Sequence, residues 1–176
     1  MSGPAARTER PEDWFARLLA EHGPAVARLA AVYEWDRDER EDLVQEIALA
    51  IWRALPAFRG DSSERTFVFR IAHNRGLSHR WQRRESAVEL AEAEQVPDHR
   101  ANVEEEVARR ERYERLAAAI RRLPESYRVA VVLTLEGLSL REVGEVLGAG
   151  ENAVAARLTR ARRQLRILLE EEHPSG

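Results

Sequence analysis

Apolar residues recur with the period of an α-helix through the first half of the chain. The clearest stripe has four members at intervals of four residues, Leu43, Ile47, Ile51 and Leu55. Before it, a segment opened by Pro11 and closed by Gly23-Pro24 predicts one helix, and a second is predicted to end near Tyr33. A fourth helix, from about Glu64 to Arg84, has four predicted inward positions, Phe67, Ile71, Leu77 and Trp81. Residues 12–84 are therefore predicted to form one small helical domain.

The pattern changes after residue 85. Residues 85–106 contain eight acidic side chains and one Arg, and Pro97 interrupts any apolar repeat, which is typical of an acidic linker. Helical periodicity returns from Glu106 and stops at Leu123-Pro124. The following residues, 129–135, are rich in Val and have strand propensity. We nevertheless predict a helix, because apolar residues repeat every four positions and no partner strand exists elsewhere.

The last third of the chain has the sequence form of a helix-turn-helix. Ser139 and Glu142 form a capping box, Gly148 ends the short helix, and a long helix follows a three-residue turn. The inward stripe of that long helix is Val154, Leu158, Ala161, Leu165 and Leu168. Residues at the start of such a helix enter the major groove of DNA. The alternative is a helical hairpin whose arginines are merely solvated.

Five side chains of this last helix are candidate DNA contacts. Glu151 and Asn152 lie at its start, where they could read base edges. Arg157, Arg160 and Arg163 follow one flank, where they suit phosphates or guanine.

Charge is segregated along the 176 residues, although the net charge is only −3. Residues 53–84 contain eight Arg and two acids, with four interleaved aromatics, Phe58, Phe67, Phe69 and Trp81. Residues 152–166 contain five Arg and no acid. Arginines alternating with aromatic rings suit phosphates and unpaired bases, so two separate sites for a polyanion are predicted. A solvated outer helix face is the alternative for the first of these blocks.

Other classes of protein are disfavoured by composition. There is no Cys, the five His show no zinc-binding spacing, and no Gly-rich phosphate loop or nucleophile motif occurs. We therefore expect no catalytic residue, no metal and no cofactor, and a protein that is not an enzyme. No apolar stretch approaches a membrane span and the start has no signal-peptide core, so a cytoplasmic protein without membrane insertion is expected.

Two sets of motifs resemble the sigma factors of bacterial RNA polymerase. The segments LPESYR (123–128), EGLS (136–139), EVGEVLG (142–148) and VAARLTRARRQL (154–165) resemble region 4 of that family. The segment DLVQE (42–46) with Trp52, and IAHN (71–74) leading into the Arg cluster, resemble region 2. With no counterpart of region 3 between them, the chain resembles the extracytoplasmic-function (ECF) group.

The resemblance implies an all-α protein of two small domains that binds the polymerase core and directs promoter-specific initiation. Residues 12–85 would form a four-helix region 2 domain and residues 106–170 a region 4 helix-turn-helix domain. Residues 86–105 would be the acidic linker, 1–11 a disordered start and 171–176 a tail. The polymerase (its clamp and flap), promoter DNA and an anti-sigma factor are the implied partners.

The resemblance also assigns roles to individual residues. The face that docks on the polymerase clamp would comprise Asp42, Gln45, Glu46, Leu49 and Trp52. The residues that capture and open the −10 element would be Phe58, Arg59, Asp61, Asn74, Arg80, Trp81, Arg83 and Arg84. The helix from Asn152 would read the −35 element.

The chain departs from the usual family residues at a few positions. Ala155 and Ala156 replace a basic and a hydroxyl residue, Gly150 replaces Ser, and Ser78 replaces Asp. These changes concern the promoter sequence more than the family. Two rival hypotheses remain: a helix-turn-helix regulator that acts without polymerase, and a sigma mimic that titrates a regulator.

Overall fold

The computed structural model describes residues 9–86 and 114–171, and all the regular structure within them is helical. Three helices form a first unit: α1 (Pro11–Tyr33), α2 (Arg37–Ala54) and α3 (Glu64–Ser86), with a short 3-10 turn at Leu55–Ala57. Four form a second unit: α4 (114–121), α5 (Glu125–Leu135), α6 (Leu140–Leu147) and α7 (Glu151–Glu171). The all-helical prediction is confirmed, including the helix over residues 129–135. The predictions for residues 1–8, the linker and the tail lie outside the described residues.

The predicted break at Gly23-Pro24 is wrong, because α1 continues through both residues as one helix. Its buried stripe, which includes Trp14, Leu18, Val26 and Leu29, spans the position of Pro24 without interruption. Each of these side chains contributes about 1.5–3 kcal/mol when buried. Together they outweigh the cost of an interior proline, about 3 kcal/mol. The first unit therefore has three long helices instead of four.

The first unit is built around the stripe of α2, as predicted. Leu43, Ile47 and Ile51 are completely buried, and Leu55 nearly so. Asp36 begins α2 by accepting hydrogen bonds at 3.0 Å from the backbone N–H groups of Asp38 and Glu39. This cap fixes the corner between α1 and α2.

The predicted inward face of α3 is correct for its first half and wrong for its second. Phe67 is buried, but Leu77 is 43% exposed and Trp81 is 68% exposed. The reason is that α3 turns small and polar residues toward α1 beyond Ala72. Gly76 lies against the ring of Tyr33, where an added Cβ would come within 2.3 Å of a ring carbon. Apolar side chains next to this position therefore point outward.

The second unit contains the predicted helix-turn-helix. Ser139 and Glu142 form the complete capping box, and Gly148 ends α6 in the left-handed conformation with φ of 62°. At Gly144 an added Cβ would lie 2.4 Å from the carbonyl oxygen of Ala149, so the turn closes on a glycine. Val154, Leu158, Ala161 and Leu168 of α7 are buried as predicted, and Leu165 is partly buried. Leu135, at the end of α5, is 65% exposed.

Candidate polymerase and promoter surfaces

One face of α2 presents all five predicted polymerase contacts. Asp42 and Gln45 are exposed, and the apolar Leu49 and Trp52 are 47% and 36% exposed. The indole of Trp52 packs edge-on against the ring of Phe15, and the two ring centroids are 5.3 Å apart. Glu46 is partly buried and pairs with Arg75 of α3 at 3.1 Å, so that carboxylate also ties α2 to α3. The face combines acidic groups with exposed apolar area, which is typical of a protein-binding surface.

The loop between α2 and α3 contains one packed aromatic residue and two exposed charged residues. Phe58 packs edge-on against Phe67, with ring centroids 4.7 Å apart, and against Trp14 at 5.7 Å. Arg59 and Asp61 are exposed. Because Phe58 is part of the packed unit, we interpret its main role in this conformation as holding the loop.

The second half of α3 exposes an apolar and aromatic strip among polar groups. Asn74, Leu77 and Trp81 are exposed on the helix surface. Two of the residues predicted to contact the −10 element form ion pairs within the protein. Arg83 pairs with Glu34, and Arg80 pairs with Glu125 of the second unit. The side chain of Arg84 lies outside the described part of the chain.

Glu34, which sequence patterns did not single out, is the centre of a buried polar network under this strip. Its side chain is 8% exposed and accepts hydrogen bonds from His79 Nε2 at 3.0 Å, from the backbone N–H of Asp36 at 2.9 Å and from Arg83. Burial alone would raise the pKa of Glu34, but these hydrogen bonds and the charge of Arg83 lower it, so the group stays ionised. Glu34 follows the last residue of α1, so no helical repeat marks it.

A second polar contact lies six residues before His79 on α3. The hydroxyl of Tyr33 hydrogen-bonds to Nδ1 of His73. Burial, together with the charge of Arg157, lowers the pKa of His73 to about 4, and burial raises that of Tyr33. Both rings are therefore neutral near pH 7. Glu34 and Tyr33 together fix the rotation of α3 about its axis.

The predicted reading helix, α7, presents four of its five candidates to solvent. Glu151, Asn152, Arg160 and Arg163 are exposed, whereas Arg157 is half-buried. In the described part of the chain no carboxylate pairs with Arg160 or Arg163. These guanidinium groups remain available for phosphates or base edges.

The capping box of α6 also connects the two units. Glu142 accepts from the backbone N–H of Ser139 at 2.9 Å and from Arg65 of α3 at 3.2 Å. The hydrogen bonds from Ser139, aided by Arg65, lower the pKa of Glu142 to about 2. No metal-binding group of three or more His, Asp or Glu occurs in residues 9–86 and 114–171. The same residues include no helix long and apolar enough to cross a membrane.

Comparison with known proteins bears on both units. Residues 18–86 match the family model for sigma-70 region 2, and residues 113–165 match that for sigma-70 region 4. The RNA polymerase sigma factor CnrH of Cupriavidus metallidurans is 33% identical over 165 residues, which span 89% of this chain and 86% of the relative. The chain belongs to the sigma-70 family of RNA polymerase sigma factors. The ECF RNA polymerase sigma-E factor of Escherichia coli is 32% identical, over 84% of this chain and 82% of the relative, which places this sigma factor in the ECF group.

Solved structures agree with this assignment. The structure of CnrH in complex with the cytosolic domain of CnrY has a TM-score of 0.65 at 30% identity, and covers 89% of this chain and 88% of that one. The Bartonella quintana sigma factor RpoE, solved with the anti-sigma factor NepR, has a TM-score of 0.73 at 22% identity, which supports the fold. This sigma factor binds the polymerase core and promoter DNA and directs initiation from −10 and −35 elements. The match to region 2 as well as region 4 sets aside the first rival hypothesis, a helix-turn-helix regulator that acts without polymerase.

Proposed function

We propose that three surfaces of this sigma factor divide the work of initiation. The exposed face of α2 docks on the polymerase clamp. The loop after α2 and the second half of α3 capture and open the −10 element. The start of α7 reads the −35 element, and the second unit also contacts the polymerase flap. The polymerase supplies the chemistry, so the sigma factor is not itself an enzyme and acts in the cytoplasm.

The observation that carries the opening role is the exposure of Trp81. A tryptophan at 68% exposure leaves a large apolar surface in water, next to Leu77 at 43%. The ring of Trp81 lies five residues beyond the buried Gly76, on a helix otherwise rich in arginine. Stacking of an unpaired base on such a ring contributes about 1–3 kcal/mol. That gain offsets part of the unstacking cost of opening the duplex.

The test compares two exposed tryptophans. Trp81→Ala should lower the rate of promoter opening about 5- to 100-fold, the equivalent of losing one stacked base, with little change in closed-complex formation. Opening is measured by 2-aminopurine fluorescence in the −10 element. A promoter with a pre-melted −10 segment should restore the rate, because opening is then no longer required.

Trp52→Ala is the matched control. It removes a less exposed indole, 36% against 68%, from the α2 face, so it should weaken polymerase binding and leave opening by the assembled holoenzyme unchanged. If Trp81→Ala reduces closed and open complexes equally, or if pre-melting does not rescue it, Trp81 has no role in opening.

Reading of the −35 element is assigned to α7 on the basis of its exposed start and its unpaired arginines. Asn152 suits a bidentate contact with adenine, and Arg160 and Arg163 suit phosphates. Ala156, exposed on the same face, has a methyl group that suits the methyl of thymine. The departure from basic and hydroxyl residues at 155 and 156 then changes the preferred −35 sequence.

An anti-sigma factor is the proposed regulatory partner. The relative CnrH was solved with the cytosolic domain of a partner protein, and RpoE with an anti-sigma factor. A protein that covers α2 and α3 would block polymerase and promoter at once.

A further inference from the structure

Trp14 of α1 contacts both ends of the loop between α2 and α3, residues 58–63. Its ring packs against the ring of Phe58, the first residue of the loop, and the two centroids are 5.7 Å apart. Its indole N–H donates a hydrogen bond of 3.1 Å to Oε1 of Glu64, the first residue of α3. The side chain of Trp14 is only 6% exposed, so it has little surface available to DNA. One buried side chain therefore connects the beginning of the loop to its end.

The end of the loop is held by several further contacts. The second carboxylate oxygen of Glu64, Oε2, accepts a hydrogen bond of 2.9 Å from Arg17, so both oxygens have a donor on α1. A carboxylate in the first turn of a helix is also favoured by the helix dipole. Ser63 caps the same turn by accepting from the backbone N–H of Thr66 at 3.0 Å. The start of α3 is therefore fixed relative to α1.

The middle of the loop lacks such contacts. Residues 59–62 make no hydrogen bond to any other residue in the part of the chain that the structure describes. Arg59 and Asp61 are exposed, and Gly60 lies in the left-handed region with φ of 79°. The conformation of this segment therefore depends on how its two ends are held. A segment that is ordered in advance loses less conformational entropy when it binds a ligand.

We propose that Trp14 is a positioning residue for base capture, because it holds Phe58 and Glu64 at a fixed separation and so keeps residues 59–62 ready to receive an unpaired base of the −10 element. The inference rests on the proposed role of this loop in −10 capture. Trp14 acts on DNA only through the loop. Loss of its indole N–H should therefore weaken binding of single-stranded −10 DNA and leave binding of the intact duplex unchanged.

Two variants remove the same hydrogen bond from opposite sides. Trp14→Phe keeps an aromatic ring next to Phe58 and removes the N–H donor, whereas Glu64→Leu removes the acceptor and keeps the indole. If Trp14 acts through Glu64, the double variant should be no more defective than the more defective single variant. Val26→Ala is the matched control for loss of stability. Val26 is also buried on α1, at 3% exposure, but lies about 18 Å from Trp14 along the helix.

The first measurement reports the mobility of the loop without any DNA. The chain contains no Cys, so a spin label at Asp61→Cys reports on the loop in the free, full-length protein. The electron paramagnetic resonance lines should become narrower, as the label becomes more mobile, in Trp14→Phe and in Glu64→Leu. Val26→Ala should give the spectrum of the original protein. If Trp14→Phe does not fold, as judged by its circular dichroism, Glu64→Leu provides the same test.

The second measurement uses the unlabelled variants assembled with core polymerase. The probe is a fluorescent single-stranded oligonucleotide with the −10 segment of the promoter used for Trp81→Ala. Trp14→Phe should lower the affinity for this probe about 5- to 30-fold, the equivalent of ordering one more residue on binding. Binding of the intact promoter duplex at low temperature should not change, and Val26→Ala should bind both ligands normally. Arg59→Ala, which alters the loop itself, should also weaken binding of the oligonucleotide.

The two measurements separate the possible failures. An unchanged label spectrum in Trp14→Phe would overturn the proposal, whatever the loop binds. A more mobile loop with normal oligonucleotide affinity would also overturn it if Arg59→Ala still weakens binding, since loop order would then not aid capture. An equal loss of affinity in Val26→Ala would show a general effect of stability instead of positioning. If Arg59→Ala and Trp14→Phe both bind normally, the loop does not capture the −10 element, and its proposed function fails together with this inference.

Discussion

The first unit supports its proposed DNA-opening helix with buried polar side chains, whereas the second supports its reading helix with apolar side chains and backbone geometry. Under α3 lie the carboxylate of Glu34 and the Tyr33–His73 pair. Under α7 lies an unbroken apolar stripe, and its start is set by the glycine turn after α6. Polar networks are sensitive to single-atom changes and to pH, whereas close-packed turns are sensitive to volume. Loss of a polar group or a change of pH should therefore destabilise mainly the first unit, and an increase in side-chain volume mainly the second.

The largest effect is expected at the turn of the second unit. Gly144→Ala would bring a methyl group to 2.4 Å from the Ala149 carbonyl oxygen, which the backbone can relieve only by moving α7 away from α6. We expect a loss of about 3 kcal/mol in the free energy of unfolding, measured by urea denaturation. Promoter binding that depends on the −35 element should fall with it.

Gly23→Ala is the control for that variant. An added Cβ at Gly23 meets nothing within 4 Å, and the residue lies inside α1. Stability should rise by up to about 1 kcal/mol, because Ala has the higher helix propensity. Equal behaviour of the two variants would show that the turn is not closely packed.

An intermediate effect is expected from the polar network of the first unit. Glu34→Gln keeps the shape of the side chain but removes the charge that pairs with Arg83 and accepts from His79. We expect a loss of about 2 kcal/mol in thermal or urea unfolding, typical of breaking a buried charged hydrogen-bond network. Promoter opening should slow as α3 loses its orientation.

Glu39→Gln, on the exposed surface of α2, should change neither stability nor opening by a measurable amount. If Glu34→Gln matches this control, the network does not orient α3.

The smallest expected effect is a dependence of stability on pH, which arises from His73 in the first unit. His73 is kept neutral in the folded protein, with a pKa of about 4, whereas an unfolded chain protonates it near pH 6.5. The unfolded state therefore binds more protons between these values, and stability falls as pH decreases from 6.5 toward 4. His73→Gln should remove part of this dependence, about 1 kcal/mol in urea titrations at several pH values, since the ring is only partly buried. An unchanged pH profile would contradict a buried neutral imidazole.

Local patterns in the sequence predicted the parts of the fold that depend on local chemistry. The stripe of α2, the capping box at Ser139 and the stripe of α7 were predicted because each is a repeat or a short-range hydrogen bond. The break at Pro24 was wrong because long-range packing outweighed a local helix breaker. The orientation of Trp81 could not be obtained from the helical repeat, since the second half of α3 packs on a polar corner.

The candidate site was predictable only in part. The exposed positions of α2 and α7 agree with their predicted faces, and the residue roles remain proposals. Glu34, Trp35 and the arginine–glutamate pairs between the units escaped prediction because they join residues from 45 to 108 positions apart, or lie at a corner without a repeat. Nothing in the local sequence marks such pairs.

Glu142 combines two tasks, since it completes the cap that starts α6 and accepts the hydrogen bond from Arg65. A substitution there cannot alter the attachment of the two units without also weakening the beginning of a DNA-binding motif. Arg65 has no such second duty in the capping box. Evolutionary changes in the strength of this contact between the two units should therefore occur at Arg65, whereas Glu142 is retained for its role in the cap.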